Sequence, residues 1–260
     1  MTKFITIQSR LIEYEFFGAA REAPVIVFLH EGLGSLSMWR DFPSRVAHAT
    51  GCNALVYSRY GYGNSASLGA PRSTGFMHHE ALQALPELLD KLQVRRPILF
   101  GHSDGASIAL ICAGGSGREF AGVVAMAPHV LVEDICIRSI RQAKVNYETT
   151  ELREKLARYH ADPDSAFRGW NDIWLDPAFL RWNIEEYLPS IECPLLAIQG
   201  EDDEYGTMDQ IDRIGRLARD VDLIRLKDCR HSPHRDQPEA VIEAVVRFVD
   251  RTCAASDLPD

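Results

Sequence analysis

The sequence predicts an α/β fold: a mostly parallel sheet flanked by helices and interrupted once by a helical insertion. Three observations predict it. Short, dense apolar runs alternate with longer amphipathic stretches from residue 4 to about residue 128. That is the pattern of strands buried on both faces and joined by right-handed crossover helices. The alternation then stops over residues 129–190 and resumes afterwards. Finally, 260 residues, 46% of them hydrophobic and 25% charged, suit one ordinary domain carrying an insertion, with a core large enough to need no staples.

Taken in order, residues 4–7 and 11–17 are expected to open the sheet as an antiparallel hairpin. Residues 25–29 are a continuous apolar run, Val-Ile-Val-Phe-Leu, expected as a buried strand. A helix is expected at 38–49 and a strand at 54–58. Residues 79–92 read as a helix because Leu82, Leu85, Leu88, Leu89 and Leu92 recur at spacings of three and four. A strand at 97–100, a helix at 104–113 and a strand at 122–127 follow. Residues 129–190 show helical patterning and no strand, and they hold three of the four tryptophans, Trp170, Trp174 and Trp182. Strands at 194–199 and 222–226 then alternate with helices at 208–218 and 238–251. Residues 254–260 are expected to fray. The expected division is a core of residues 1–128 and 191–260 and a helical cap, or lid, of residues 129–190. The insertion departs at Pro128, after the C-terminal end of a strand, the edge where open α/β sheets bind ligands.

Composition excludes several classes. The net charge is -9, from 28 basic and 37 acidic residues, the wrong sign for a polyanion, so no nucleic acid partner is expected. No apolar run approaches the roughly 20 residues of a membrane span. The first ten residues lack the charged start and long apolar run of a signal peptide. Cysteines 52, 112, 136, 193, 229 and 253 form neither a Cys-x-x-Cys motif nor a zinc spacing, and reduced, packing thiols are expected. The expectation is a cytoplasmic monomer or homodimer with a small-molecule substrate, no metal and no cofactor.

The chemistry starts at Gly101-His102-Ser103-Asp104-Gly105, a Gly-x-Ser-x-Gly match with an apolar strand before it and a helix after it. A serine there stands on a turn so tight that flanking side chains would clash. Its hydroxyl needs a base to become a nucleophile. Of nine histidines, His231 and His234 lie in the loop after the last strand; His231 is the first candidate and His234 the second. The three-residue spacing of these two has no helix behind it and no third ligand, so it does not suggest a metal. A base needs an acid to fix its tautomer. Gly200-Glu201-Asp202-Asp203-Glu204 follows a strand, with Asp203 first and Asp202 second. The order Ser103, Asp203, His231 is one of the three known chain orders for such sets. The oxyanion needs two N–H donors: one from Asp104, and one from the loop His30-Glu31-Gly32-Leu33-Gly34-Ser35, with Gly32 before Leu33.

At this point the chain resembles the α/β-hydrolase superfamily, in particular its small capped serine hydrolases. The resemblance rests on His30-Glu31-Gly32-Leu33-Gly34, Ser58-Arg59-Tyr60-Gly61-Tyr62-Gly63-Asn64-Ser65, Gly101 to Gly105, Gly200-Glu201-Asp202-Asp203, and His231 with Pro233 and Gln237-Pro238-Glu239. It covers nearly the whole chain outside the insertion. It implies the acid three residues after the glycine, Asp203, and the histidine several residues before the Pro-Glu pair, His231. One departure stands out: relatives usually have His-Gly where this chain has His30-Glu31. A carboxylate beside an oxyanion hole disfavours negative charge there, unless Glu31 points away or orders a water.

The insertion is rich in aromatics, which either form its own core or wall an acyl or aromatic substrate. The candidate substrate-binding residues are Glu31, Leu33, Trp39, His129, Trp170 and Trp174, with Arg168 or Arg181 as partners for a substrate carboxylate. The expected activity is hydrolysis of a carboxylic ester, lactone or thioester by acyl transfer to Ser103. Alternatives on the same fold are hydrolysis of a C–C bond in aromatic ring-cleavage products, lyase chemistry, and a ligand receptor with little turnover.

Overall fold

Side chains on a strand point alternately to opposite faces, and in this chain both sets are apolar. The consequence is visible in a computed structural model that describes residues 1–18 and 23–254. The elements run β1 (Lys3–Ile7), β2 (Arg10–Phe17), β3 (Val25–Leu29), a 3-10 turn (Leu36–Trp39), α1 (Phe42–Thr50), β4 (Asn53–Tyr57), α2 (Phe76–His79) and α3 (Leu85–Lys91). They continue with β5 (Ile98–His102), α4 (Asp104–Gly115), β6 (Gly122–Met126), α5 (Asp134–Thr149), α6 (Leu152–Leu156) and α7 (Pro163–Trp174). Two 3-10 turns (Phe179–Arg181 and Glu185–Ser190), β7 (Leu195–Gly200), α8 (Asp209–Leu217), β8 (Val221–Leu226), α9 (Pro233–Asp236) and α10 (Pro238–Ala254) complete the order.

Among the described residues, eight strands form one sheet in the order β1-β2-β4-β3-β5-β6-β7-β8. The opening hairpin and its junction with β4 are antiparallel, and every later pairing is parallel. On one face, Val27, Leu29, Leu99, Val123, Ala125, Leu195 and Ala197 pack with α3, α4 and the helices between β6 and β7. On the other, Ile26, Phe28, Ile98, Phe100, Val124, Met126, Leu196 and Ile198 pack with α1 and α10. The two sets are the odd and even positions of the same strands, so a one-residue slip in any central strand would exchange them.

Proline explains two differences from the expected elements. The helix expected at 38–49 is a 3-10 turn, then Arg40 at φ 54°, then α1. Pro43 has no N–H and its ring would strike the carbonyl four residues back, so no helix runs through it and it sits in the first turn of α1. The helix expected at 79–92 does form, but its path widens into a π turn at Glu80–Ala84 just ahead of Pro86. Residues 129–190 contribute α5 to α7, the two 3-10 turns and a single bridge, Leu131 to Asn183. Of the tail expected to fray at 254–260, residues 255–260 lie outside the described residues. Among the described residues, Cys112, Cys136, Cys193 and Cys229 are free thiols.

Candidate active site

The turn between β5 and α4 holds Ser103 at φ 53° and ψ -120°, a region that side-chain-bearing residues rarely occupy and that costs on the order of 1–3 kcal/mol. The flanking glycines make the turn possible. A Cβ on Gly101 would run into the backbone of Gly105 and Ala106, and one on Gly105 into the Leu29 carbonyl. The Ser103 N–H donates to Met126 O at 2.9 Å, which anchors the turn to β6.

The hydroxyl of Ser103 lies 2.9 Å from His231 Nε2. His231 Nδ1 lies 2.8 and 3.0 Å from the two carboxylate oxygens of Asp203. Nδ1 donates to that carboxylate, which leaves Nε2 free to accept from the serine. Asp203 is buried, and its Oδ1 also accepts the N–H groups of Tyr205 and Gly206 at 2.8 and 3.2 Å. Burial pushes its carboxyl up, but the charge and hydrogen bond of His231 and the Tyr205 N–H outweigh it, and the group sits below the ordinary value. His231 shows the mirror image. Burial pushes the imidazole down, Asp203 by charge and hydrogen bond pushes it up by more, and it ends above the ordinary value. Asp202 is exposed. His234 is buried on the far side of His102, 5.0 Å from the Trp39 ring and 5.5 Å from Phe42. The structure therefore brings together Asp203 and His231 and leaves both second candidates aside.

The loop after β3 is held by groups far away in the chain. Arg59 donates to His30 O and Glu31 O at 3.2 and 2.9 Å. His160 donates through Nε2 to Leu33 O at 3.0 Å and accepts the Gly63 N–H at Nδ1. Gly32 packs under Trp170, where any Cβ would meet the indole. The Glu31 carboxylate turns sideways, 3.5 Å from His102 Nδ1 and 3.4 Å from Arg235. Burial pushes this carboxyl up, but His102, Arg235 and His234 together hold it well below the usual carboxylate range. His102 in turn donates through Nε2 to the carbonyl of His231 at 2.7 Å. The unusual glutamate thus belongs to a chain of contacts that ends on the backbone of His231.

A cavity of about 180 Å³ opens beside Ser103. Glu31, Gly32, Leu33, Asp104, His129, Trp170 and Trp174 all line it, together with His231. Trp174 donates its indole N–H to Asp104 Oδ1 at 3.2 Å, which ties α7 to the start of α4. Trp39 does not belong here. It is 3% exposed and packs against Phe28, Phe42 and Phe100 on the opposite face of the sheet. The reason is the Pro43 break, which turns the chain so that Trp39 ends a 3-10 turn facing α1. Arg168 and Arg181 do not line the cavity either. Cys136, Ile140, Glu204 and Tyr205 do. Nothing in the sequence distinguished these four, although Glu204 and Tyr205 follow Asp203 directly. Among the described residues, no group of three His, Cys, Asp or Glu side chains is placed to hold a metal ion, and no helix is long and apolar enough to cross a membrane.

Comparisons with known proteins agree with this architecture. A sequence model of the alpha/beta hydrolase family matches residues 26–244. The chain is 22% identical over 273 residues to the sn-1-specific diacylglycerol lipase ABHD11 of Danio rerio, covering 92% of this chain and 82% of that protein. Among solved structures it is similar to the proline iminopeptidase of Mycobacterium smegmatis, with TM-score 0.76, 16% identity, and 99% and 100% of the two chains covered. It is also similar to the enol-lactonase of Burkholderia xenovorans LB400, with TM-score 0.74, 18% identity, and 95% and 100% covered. An esterase of Exiguobacterium antarcticum gives TM-score 0.76, 17% identity, and 96% and 100% covered. At these identities the likeness to the solved structures is one of fold.

Proposed function

Because this chain belongs to the alpha/beta hydrolase family, we propose that it cleaves a carboxylic ester, or a related lactone or thioester, through an acyl-enzyme on Ser103. The observation that carries this is the unbroken contact chain from Ser103 Oγ through His231 to Asp203, at 2.9 and 2.8 Å. His231 Nε2 takes the serine proton as Oγ attacks the carbonyl carbon. The imidazolium that forms is stabilised by the Asp203 carboxylate at Nδ1. The tetrahedral oxygen is held by the backbone N–H groups of Asp104, at the N-terminus of α4, and of Gly32. His231 then returns its proton to the leaving oxygen or sulfur. A water, deprotonated by the same imidazole, releases the acid. The ester class is supported by the diacylglycerol lipase among the relatives.

The same reading makes residues 129–190 a cap over a core of 1–128 and 191–260. It is supported by Trp170 and Trp174, which reach from α7 to the cavity wall and the N-terminus of α4. A fluorophosphonate probe followed by peptide mass mapping tests the nucleophile. Ser103 is expected to carry the adduct, and labelling that persists in Ser103→Ala would refute the assignment.

A further inference from the structure

The indole N–H groups of the four tryptophans are used differently. That of Trp174 donates to Asp104 Oδ1 at 3.2 Å. Those of Trp39 and Trp182 are sealed in the interior without a partner. That of Trp170 also has no partner among the described residues, but it is not sealed. Its neighbour is informative. Trp170 and Gly32 both line the cavity that holds Ser103. A Cβ on Gly32 would stand 2.2 Å from Trp170 Nε1 and 2.3 Å from Cδ1, against 3.1 Å from Cε2. The indole therefore presents its N–H edge, rather than its benzene ring, to Gly32, whose own N–H serves the tetrahedral oxygen in the proposed mechanism.

Two donors this close can serve one oxygen. By covalent geometry an amide nitrogen lies about 2.5 Å from its own Cβ, so the Gly32 nitrogen and Trp170 Nε1 are at most about 4.7 Å apart. That is less than twice an N–H···O bond of about 2.9 Å, so a single acceptor can lie within reach of both. Gly32 is what admits the indole, since any side chain there would take the place of Nε1. The ring is also held in advance. At the start of α7 the Asp162 carboxylate accepts the Ser165 N–H at 2.9 Å, and Phe167 stands edge-on to Trp170 at 6.0 Å. The buried Asn171 donates to Ile140 O at 2.9 Å, and Trp174 ties the end of the helix to Asp104. A donor fixed before the reaction costs no reorganisation when charge develops. An indole N–H donates and never accepts, so it suits an oxygen gaining negative charge. Left unpaired it is a cost, and the acceptor that reaction at Ser103 creates beside Gly32 is the tetrahedral oxygen.

We propose that the Trp170 indole N–H is a third oxyanion donor, set beside the N–H groups of Gly32 and Asp104 by α7, which makes Trp170 a catalytic residue. This rests on the acyl-enzyme assignment of Ser103. The experiment measures kcat and KM for p-nitrophenyl acetate and butyrate across about pH 5 to 9, in the native protein and in Trp170→Phe. It also measures affinity for an alkyl trifluoromethyl ketone, whose hemiketal oxygen on Ser103 mimics the tetrahedral oxygen. Acylation and deacylation both pass through that oxygen, so kcat and kcat/KM are expected to fall together by about 10²-fold, alike for both esters. The pH profile is expected to stay in place, because the indole does not titrate, and the ketone to bind more weakly by a similar factor. If Trp170→Phe does not fold, Trp170→3-benzothienylalanine, in which sulfur replaces the N–H and the shape is kept, decides the question. A kcat within about threefold of native, far inside the roughly 10² expected, would overturn this proposal. So would an effect confined to KM, or an unaltered affinity for the ketone; fluorophosphonate labelling of Ser103 would leave the hydrolase assignment standing in each case. Absence of both labelling and turnover in the native protein would remove that assignment, and this proposal with it.

Discussion

Asp203→Asn replaces one carboxylate oxygen by an NH2 and changes almost nothing in shape. The neighbours decide which oxygen is lost. Tyr205 and Gly206 both donate to Oδ1, at 2.8 and 3.2 Å, against a single longer contact of 3.4 Å from Gln199 to Oδ2. The amide oxygen therefore stays at the Oδ1 position and the NH2 takes the other, 3.0 Å from His231 Nδ1. The NH2 faces Nδ1–H, while the amide oxygen 2.8 Å from Nδ1 is neutral and already accepts the Tyr205 and Gly206 N–H groups, so the balance shifts to the ring that accepts the NH2 at Nδ1 and carries its proton on Nε2. Nε2 is the atom 2.9 Å from Ser103 Oγ, and as a donor it cannot take the serine proton. A tautomer fault of this kind costs on the order of 10⁴ in kcat, or about 5.5 kcal/mol of transition-state stabilisation. The pH dependence has a definite sign. The base must be neutral, so native activity falls as pH drops through the raised value of His231. Without the carboxylate, burial dominates and the acid limb of kcat/KM moves to lower pH. Steady-state hydrolysis of p-nitrophenyl acetate across about pH 5 to 9, with thermal melting to verify the fold, measures both effects. Activity within threefold of native, or an acid limb that stays put or moves up, would refute the reasoning; the threefold bound is far inside the roughly 10⁴ expected.

Three further outcomes follow from the packing. Gly32→Ala puts a methyl into the Trp170 indole and is expected to lower kcat/KM at least about tenfold by displacing the loop; near-native activity would remove Gly32 from the oxyanion site. Trp39→Phe is expected to lower stability by about 1–3 kcal/mol in denaturant titration and to leave kcat/KM unchanged, because Trp39 packs behind the sheet. A raised KM would instead return that residue to the substrate. Glu31→Gln removes the charge facing His102 and Arg235. It is expected to lower kcat/KM by about three- to tenfold and to shift the acid limb down less than Asp203→Asn does, since Glu31 is a weaker influence on His231; a pH profile like the native one would show that the contact chain through His102 does not reach the base.

Much of this was legible in the linear chain because it depends on local rules. Apolar residues at both parities mark strands buried on both faces, and β3, β5, β6 and β7 obey that. Gly101 and Gly105 mark a turn with no room for a Cβ at either position. Position relative to strand ends narrowed the acid to Asp203 or Asp202 and the base to His231 or His234, because loops at one edge of a parallel sheet converge there. The sequence misplaces Trp39 because the helix expected at 38–49 does not run through Pro43; a 3-10 turn and Arg40 at positive φ precede α1 instead and carry Trp39 to the other face. The orientation of Glu31 was hidden. It is set by His102 and Arg235, 71 and 204 positions away by their residue numbers, and a long acidic side chain next to a glycine reads the same whether it faces a substrate or a histidine.

The amino-acid order by itself determined the sheet, the turn that strains Ser103 and the chain order of the reacting groups, because hydrophobic periodicity and steric exclusion act over a few residues. Only the tertiary structure decided which aspartate and histidine meet the serine and which tryptophans wall the cavity. Those are contacts between segments up to 128 positions apart. Their geometry comes from how whole layers pack, and hydrogen bonds that need a few tenths of an ångström cannot be read from residue types alone.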